Sequence, residues 1–240
     1  LPGCAATPAI KSAKNQIARR SGKQVLELLE HGITPRMIVN KDAIINAIIA
    51  DMALGGSTNS VLHLMAIARE AGVTLSLEEF DEISRYIPHI CNIKPSGKYP
   101  LVYLYEAGGI PAVLKALEKH LRPDHMTVTG KTIIQNLKKV EVHTGDVIHS
   151  LENPLRKEGG IAVLKGNLAP DGAVVKQAAV KPSMYRFEGN ARVFNSMEDA
   201  VEAVVNDKIN KGEVIVVRYE GPKGGPGMRE MLGPTSAVQG

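Results

Sequence analysis

The chain has 240 residues, a net charge of +4 and 44% apolar residues, but only 4% aromatics and no Trp. That length allows one large domain or two modest ones with a mostly aliphatic core, which favours an α/β protein over an aromatic-rich β-sandwich. The basic residues are scattered (Arg19-Arg20, Lys138-Lys139, Lys208, Lys211) and form no aromatic-interleaved stripe for nucleic acid, and no apolar run reaches the length of a membrane span. No signal-peptide pattern is read, and two cysteines, Cys4 and Cys91, far apart in sequence, do not make a disulfide framework. A reducing, cytoplasmic setting is therefore expected, with neither nucleic acid nor membrane as partner. The chain opens on Leu1-Pro2-Gly3, without Met, and reads as an internal segment of a longer protein.

Taken in order, Pro8 to Glu30 carries a loose helical stripe of apolar residues, with Gly22 as a possible break and Gly32 as a stop. Thr34-Pro35 reads as an N-cap followed by proline at the first helical position. Asn40 caps a longer helix through Ile44, Ile45, Ile48, Ile49 and Met52, which Gly55-Gly56 ends. Ser57-Thr58-Asn59-Ser60 opens the next helix and places hydroxyls, an amide and free N–H groups at one helix N-terminus. Such a terminus can hold a carboxylate or phosphate, although ordinary capping is the commoner use of these residues. Ser76-Leu77-Glu78-Glu79 is a capping box. His89 to Ile93 is a strand-like stretch that puts Cys91 near a strand end, where sites of open α/β sheets gather, although a lone cysteine is more often a small buried hydrophobe. Lys94 to Lys98 is a turn, Gly108-Gly109-Ile110-Pro111 opens a helix, and Thr127 to Leu137 reads as strand, turn and helix. His89, His120 and His125 are not spaced as a metal pair and read as structural or solvated.

The pattern changes after about residue 145. Short runs at Ile161–Leu164, Ala173–Val175, Tyr185–Phe187 and Val193–Phe194 alternate with Gly and Pro, and Ser196 caps a single helix to Val205. The strand Val214–Val217 then leads into Arg218-Tyr219-Glu220-Gly221-Pro222-Lys223-Gly224-Gly225-Pro226-Gly227-Met228-Arg229-Glu230, read as strand, glycine loop and short helix with Glu230 just inside the helix start. On spacing alone, Glu230 fits a hard-cation ligand and a solvated turn acid equally.

Several stretches resemble one family together. They are Leu54-Gly55-Gly56-Ser57-Thr58-Asn59, Lys94 to Tyr99, Glu106 to Pro111, Thr129 to Thr132, Gly166 to Gly172, and Arg218 to Leu232 with Pro234 to Ala237. In this order they are similar to the dihydroxy-acid dehydratase/6-phosphogluconate dehydratase family, with the dihydroxy-acid branch the nearest pattern. The resemblance implies an α/β fold: an α/β/α layered part with a parallel sheet over residues 1–145, then a β-rich, barrel-like swivelling β/β/α domain over 146–240. It implies dehydration of a 2,3-dihydroxy acid to a 2-keto acid, as in branched-chain amino-acid synthesis. A sugar-acid or 6-phosphogluconate dehydratase, and a non-catalytic or partner-binding fragment, are the alternatives. The implied cofactors are an iron–sulfur cluster (2Fe–2S or 4Fe–4S) and Mg2+. Cys91 matches a family cluster cysteine and Glu230 a magnesium-binding glutamate, while Gly56, Ser57 and Thr58 are candidates for lining the substrate pocket. Cys4 matches no ligand position. The remaining cluster cysteines, the magnesium aspartates and the modified lysine are expected upstream of Leu1, and the serine base beyond Gly240, so this segment alone is expected to be inactive. Pro100-Leu101-Val102-Tyr103 departs from the acidic run expected there. The full-length protein is expected to be a homodimer.

Overall fold

A computed structural model describes residues 1–221 and 229–239. The chain forms two compact units, Leu1–Val180 and Lys181–Gly240.

In the first unit, α1 (Ser12–Glu30) and α2 (Pro35–Ile38) precede α3 (Lys41–Leu54), around which the unit is built. The Asn40 side chain accepts from Ala43 N at 2.9 Å, supplying one orphan donor of the α3 N-terminus. Ile44, Ile45, Ile48, Ile49, Met52 and Ala53 are all buried, so α3 is apolar on nearly every side, as a central helix must be. Burying each such isoleucine contributes about 1.5–3 kcal/mol. Around it run α4 (Asn59–Glu70), α5 (Leu77–Tyr86), α6 (Leu101–Glu106), α7 (Gly109–Ala116) and α8 (Ile133–Leu137), and Val61, Ala68, Phe80, Ile83, Leu104, Val113 and Leu137 complete one core with α3. The α5 start has the reciprocal cap expected of its sequence, with the Glu79 carboxylate accepting from Ser76 N at 3.0 Å. The hairpin β1 (Ala162–Leu164) and β2 (Ala173–Val175) is antiparallel, with Val163 opposite Val174.

The second unit is a β–α–β element. Strands β3 (Ala191–Phe194) and β4 (Val214–Val217) pair in parallel with Val193 opposite Val216, and α9 (Met197–Val205) makes the crossover that a parallel pair requires. Helix α10 (Leu232–Gln239) ends the described chain.

The mixed α/β class holds, with differences in detail. α1 runs unbroken through Gly22, because one glycine costs a helix only about 1 kcal/mol. Among the described residues of 1–145 there is no parallel sheet: His89, Cys91 and Ile93 make isolated bridges to Arg156, Ile148 and Tyr99. Nor do the described residues of 146–240 form a closed barrel, which needs a continuous ring of paired strands; the described strands form two separate pairs. Residues 185–187 are not a strand but follow a short 3₁₀ turn at Pro182–Met184. α10 starts at Leu232, so Glu230 precedes the helix instead of sitting inside it. The glycine loop expected at Pro222 to Met228 lies outside the described residues.

Candidate functional site

In the first unit, the C-terminal end of α3 positions the residues of interest. A helix leaves its last four carbonyls without partners inside the helix. Here Ala53 O accepts from Ile90 N at 2.9 Å and Cys91 N at 3.2 Å, and Met52 O accepts from Gly160 N at 2.9 Å. The strand-like segment predicted around Cys91 is thus held by the end of a helix. On its other edge Asn92 N donates to Val147 O at 2.9 Å and His149 N to Ile90 O at 2.8 Å.

Cys91 is a free thiol with no solvent exposure, and burial pushes its pKa up to about 12. His89, two residues earlier, is 2% exposed, and neither ring nitrogen has a hydrogen-bond partner among the described residues. Its ring packs on Gly55, whose left-handed backbone (φ +62) ends α3; a Cβ on Gly55 would come within 2.5 Å of His89 Nε2. Burial holds the His89 pKa down at about 4, so the ring is neutral near pH 7.

Gly56, Ser57 and Thr58 form the turn from α3 into α4. A Cβ on Gly56 would overlap Asp51 Oδ1, so any larger residue there must displace that carboxylate. Thr58, the N-cap residue of α4, makes no side-chain cap; within the turn Ser57 Oγ accepts from Asn59 N at 3.3 Å, and the exposed Ser57 and half-buried Thr58 border solvent. Ser60 Oγ lies 2.5 Å from both Asp51 Oδ2 and Ser57 O, with one proton to share between them, and this contact ties the turn back to α3. Burial raises the Asp51 pKa to about 6, opposed by the Ser60 hydrogen bond and by the positive charge of Lys176. The Lys176 segment reaches this place through Gln177 Nε2 to Gly159 O at 2.7 Å and Ala178 N to Gly160 O at 3.1 Å.

In the second unit, Glu230 is exposed and follows Arg229 directly. Arg229 Nη1 and Nη2 donate to Glu198 Oε2 and Oε1 at 3.1 and 2.6 Å, a bidentate pair, and Nη1 also donates to Glu220 Oε1 at 3.0 Å. Arg229 draws the Glu198 pKa down to about 2. Glu220 is 9% exposed; its Oε1 further accepts from Met197 N at 2.9 Å, while Oε2 has no partner among the described residues.

The structure therefore brings Cys91 into one neighbourhood with His89 and the α3 end, and places Glu230 in the other unit beside a three-residue ion network. The donor chemistry fits the implied groups in part. A free buried thiol beside an unpartnered imidazole suits a soft metal group, and an exposed carboxylate suits a hard cation. Among the described residues no three His, Cys, Asp or Glu side chains converge on an ion site, so neither set is complete here. Asp51, Lys176, Glu220 and Arg229 were not singled out from sequence, and His89 was read there only as structural or solvated. A hint was present for Asp51, the one acid between Ile44 and Ala53 in an otherwise apolar helix. Glu220 and Arg229 gave none, because their pairing depends on tertiary structure.

Comparison with known proteins places these neighbourhoods in context. Residues 1–136 match the family model described as dihydroxy-acid/6-phosphogluconate dehydratase N-terminal, and residues 146–240 match its C-terminal counterpart. Across the whole chain there is 53% identity to a protein of Methanothermobacter thermautotrophicus, 54% to one of Caldanaerobacter subterraneus and 55% to one of Thermodesulfovibrio yellowstonii, each named dihydroxy-acid dehydratase. The chain spans 44% of the length of each of these relatives.

Proposed function

We propose a function on one premise: the chain belongs to the dihydroxy-acid/6-phosphogluconate dehydratase family. The whole protein removes water from a 2,3-dihydroxy carboxylic acid and releases a 2-keto acid, as a hydro-lyase of branched-chain amino-acid synthesis. The observation that carries this reading is the identity of 53–55%, along the entire chain, to proteins named dihydroxy-acid dehydratase. The family description also names 6-phosphogluconate dehydratase, which keeps a sugar-acid substrate as the second reading.

In this reading Cys91 is one ligand of an iron–sulfur cluster, 2Fe–2S or 4Fe–4S, and Glu230 is one ligand of Mg2+. Bound there, these groups supply Lewis acidity toward the departing C3 hydroxyl and the substrate carboxylate. The rest is work for the chain. Burial around Cys91 and His89 excludes water, and the Ala53 carbonyl fixes the thiol's backbone. The Gly56-Ser57-Thr58 turn, at the N-terminus of α4, offers N–H and hydroxyl donors to a substrate carboxylate. Glu230 presents an exposed carboxylate to a cation. No base is assigned within this chain, and the remaining ligands are assigned to the rest of the protein, which leaves the segment inactive by itself. Residues 1–145 then close the layered α/β/α, cluster-bearing domain and 146–240 begin the barrel-like one; the gap between the two family models, from 136 to 146, supports that division. The whole protein is read as a cytoplasmic homodimer acting on a small molecule, without nucleic acid or membrane partner. Among the described residues no helix is long and apolar enough to cross a membrane.

The test is turnover by the full-length protein purified without oxygen. Keto acid formed from 2,3-dihydroxyisovalerate supports the reading. Turnover of sugar acids alone, with 2,3-dihydroxyisovalerate untouched, moves the protein to the second reading.

A further inference from the structure

Asp51 lies in the last turn of α3 and Ser60 in the first turn of α4, and between them they fasten the turn that joins the two helices. Ser60 Oγ stands 2.5 Å from Asp51 Oδ2 and 2.5 Å from Ser57 O, so a single hydroxyl touches both the acid and the turn. Asp51 Oδ1 fills the space beside Gly56, where a Cβ would overlap it, and Asp51 O accepts from Gly56 N at 3.0 Å. Gly55 is packed just as closely from another side, since a Cβ on Gly160 would overlap Gly55 Cα. This frame presents uncommitted donors. The first N–H groups of α4 are already used: Asn59 N donates to Ser57 Oγ at 3.3 Å, Ser60 N to Ser57 O at 3.0 Å and Val61 N to Thr58 O at 3.3 Å. Ser57 N, Thr58 N and the Thr58 hydroxyl make no hydrogen bond among the described residues, and Ser57 and Thr58 border solvent. Behind the turn, His89 is 2% exposed, neither ring nitrogen has a partner among the described residues, and Nε2 is directed at Gly55. A buried nitrogen in that state calls for a polar group to complete it. Capping of α4 alone explains neither the idle donors nor the idle imidazole.

We propose that Asp51 and Ser60 are positioning residues for substrate binding, which together hold the Gly56-Ser57-Thr58 turn so that its uncommitted donors stay in place for the carboxylate of the dihydroxy acid. This rests on the reading of that turn as part of the substrate pocket. Neither residue touches substrate: both Asp51 oxygens and the Ser60 hydroxyl are engaged within the frame. Donors that serve to bind the carboxylate act alike on the ground state and the transition state, so displacing them raises KM and leaves kcat nearly unchanged.

The experiment measures steady-state kinetics of the full-length protein, purified without oxygen, on the acid that it turns over. Asp51→Ala empties the space beside Gly56, and Ser60→Ala removes the shared hydroxyl. Asp51→Asn keeps the shape and an acceptor for Ser60, and Thr58→Val removes the uncommitted hydroxyl from the turn itself while keeping its shape. The expected result is a KM about tenfold higher in Asp51→Ala, Ser60→Ala and Thr58→Val, about 1.4 kcal/mol. In all three kcat stays within about twofold of wild type, and Asp51→Asn restores the wild-type KM. A raised KM in Thr58→Val with wild-type KM in Asp51→Ala and Ser60→Ala overturns the positioning role alone, as does a lowered melting temperature in those two with unchanged KM. A KM raised as far in Asp51→Asn as in Asp51→Ala overturns it too, because the charge and not the frame then carries the effect. Wild-type KM in Thr58→Val overturns the substrate reading of the turn and the proposal with it. Should Asp51→Ala fail to fold, Ser60→Ala decides between the same outcomes.

Discussion

At the scale of single residues, Asp51 has the most direct consequence for the chain's stability. Burial raises its pKa from an ordinary 3.8 to about 6 in the folded chain. A carboxyl whose folded pKa lies above its unfolded one favours folding while protonated, and that contribution is lost as pH rises through the folded value. Stability is therefore expected to fall between about pH 4 and pH 6, by at most about 3 kcal/mol for a shift near two units. Urea unfolding of this chain across that range checks it, with Asp51→Asn as comparison. The variant keeps an acceptor for Ser60 and flattens the profile; a wild-type profile as flat as the variant's would contradict the assignment. The Gly56-Ser57-Thr58 turn was legible as a helix start, but not the reason a side chain at Gly56 is costly. That reason is Asp51 Oδ1, which occupies the space of a side chain and reaches it from five residues upstream.

At the scale of elements, α1 and α3 are opposites. α3 buries most of its length, whereas α1 has nineteen residues and no buried one, with Val25, Leu26 and Leu29 at least 60% exposed. Helices of this length owe most of their stability to packing of an apolar face. Hydrogen exchange is expected to label α1 amides orders of magnitude faster than those of α3, because α1 opens locally and α3 only with the core. Gly22→Ala, at a position with open space around it, is expected to slow exchange across α1 by up to about 1 kcal/mol of local stability. Equal protection of α1 and α3, measured by mass spectrometry, would overturn that contrast. Helix starts were legible because capping is local: Asn40, Ser76 and Ser196 all sit where their helices begin. The strand-like run around Cys91 was legible as extended chain, but its partners were not. Apart from the nearby Tyr99, they are a helix carbonyl, Ala53 O, and residues more than fifty positions away.

At the scale of the molecule, the two neighbourhoods of interest belong to different compact units, and the chain covers 44% of its relatives' length. One thiolate holds no cluster that needs about three or four. The chain by itself, reconstituted anaerobically with iron and sulfide, is therefore expected to lack the brown absorbance of a stoichiometric cluster. A spectrum with one cluster per chain would contradict it and would demand ligands beyond Cys91 within this chain. The family could be read from six spaced motifs, since each is a local string. What could not be read is how residues 146–180 pack into the first unit, because that packing runs through backbone contacts such as Gly160 N to Met52 O, which leave no pattern in either segment.

The carbonyl of Ala53, shared by Ile90 and Cys91, makes α3 a ruler. Each helical residue advances the axis by about 1.5 Å and rotates it by about 100°. Removing one residue between Asn40 and Ala53 would shift that carbonyl by this step, and the cysteine registered to it would be carried along. The reach of the thiol is thus measured out by the number of residues in a helix that never touches it in sequence.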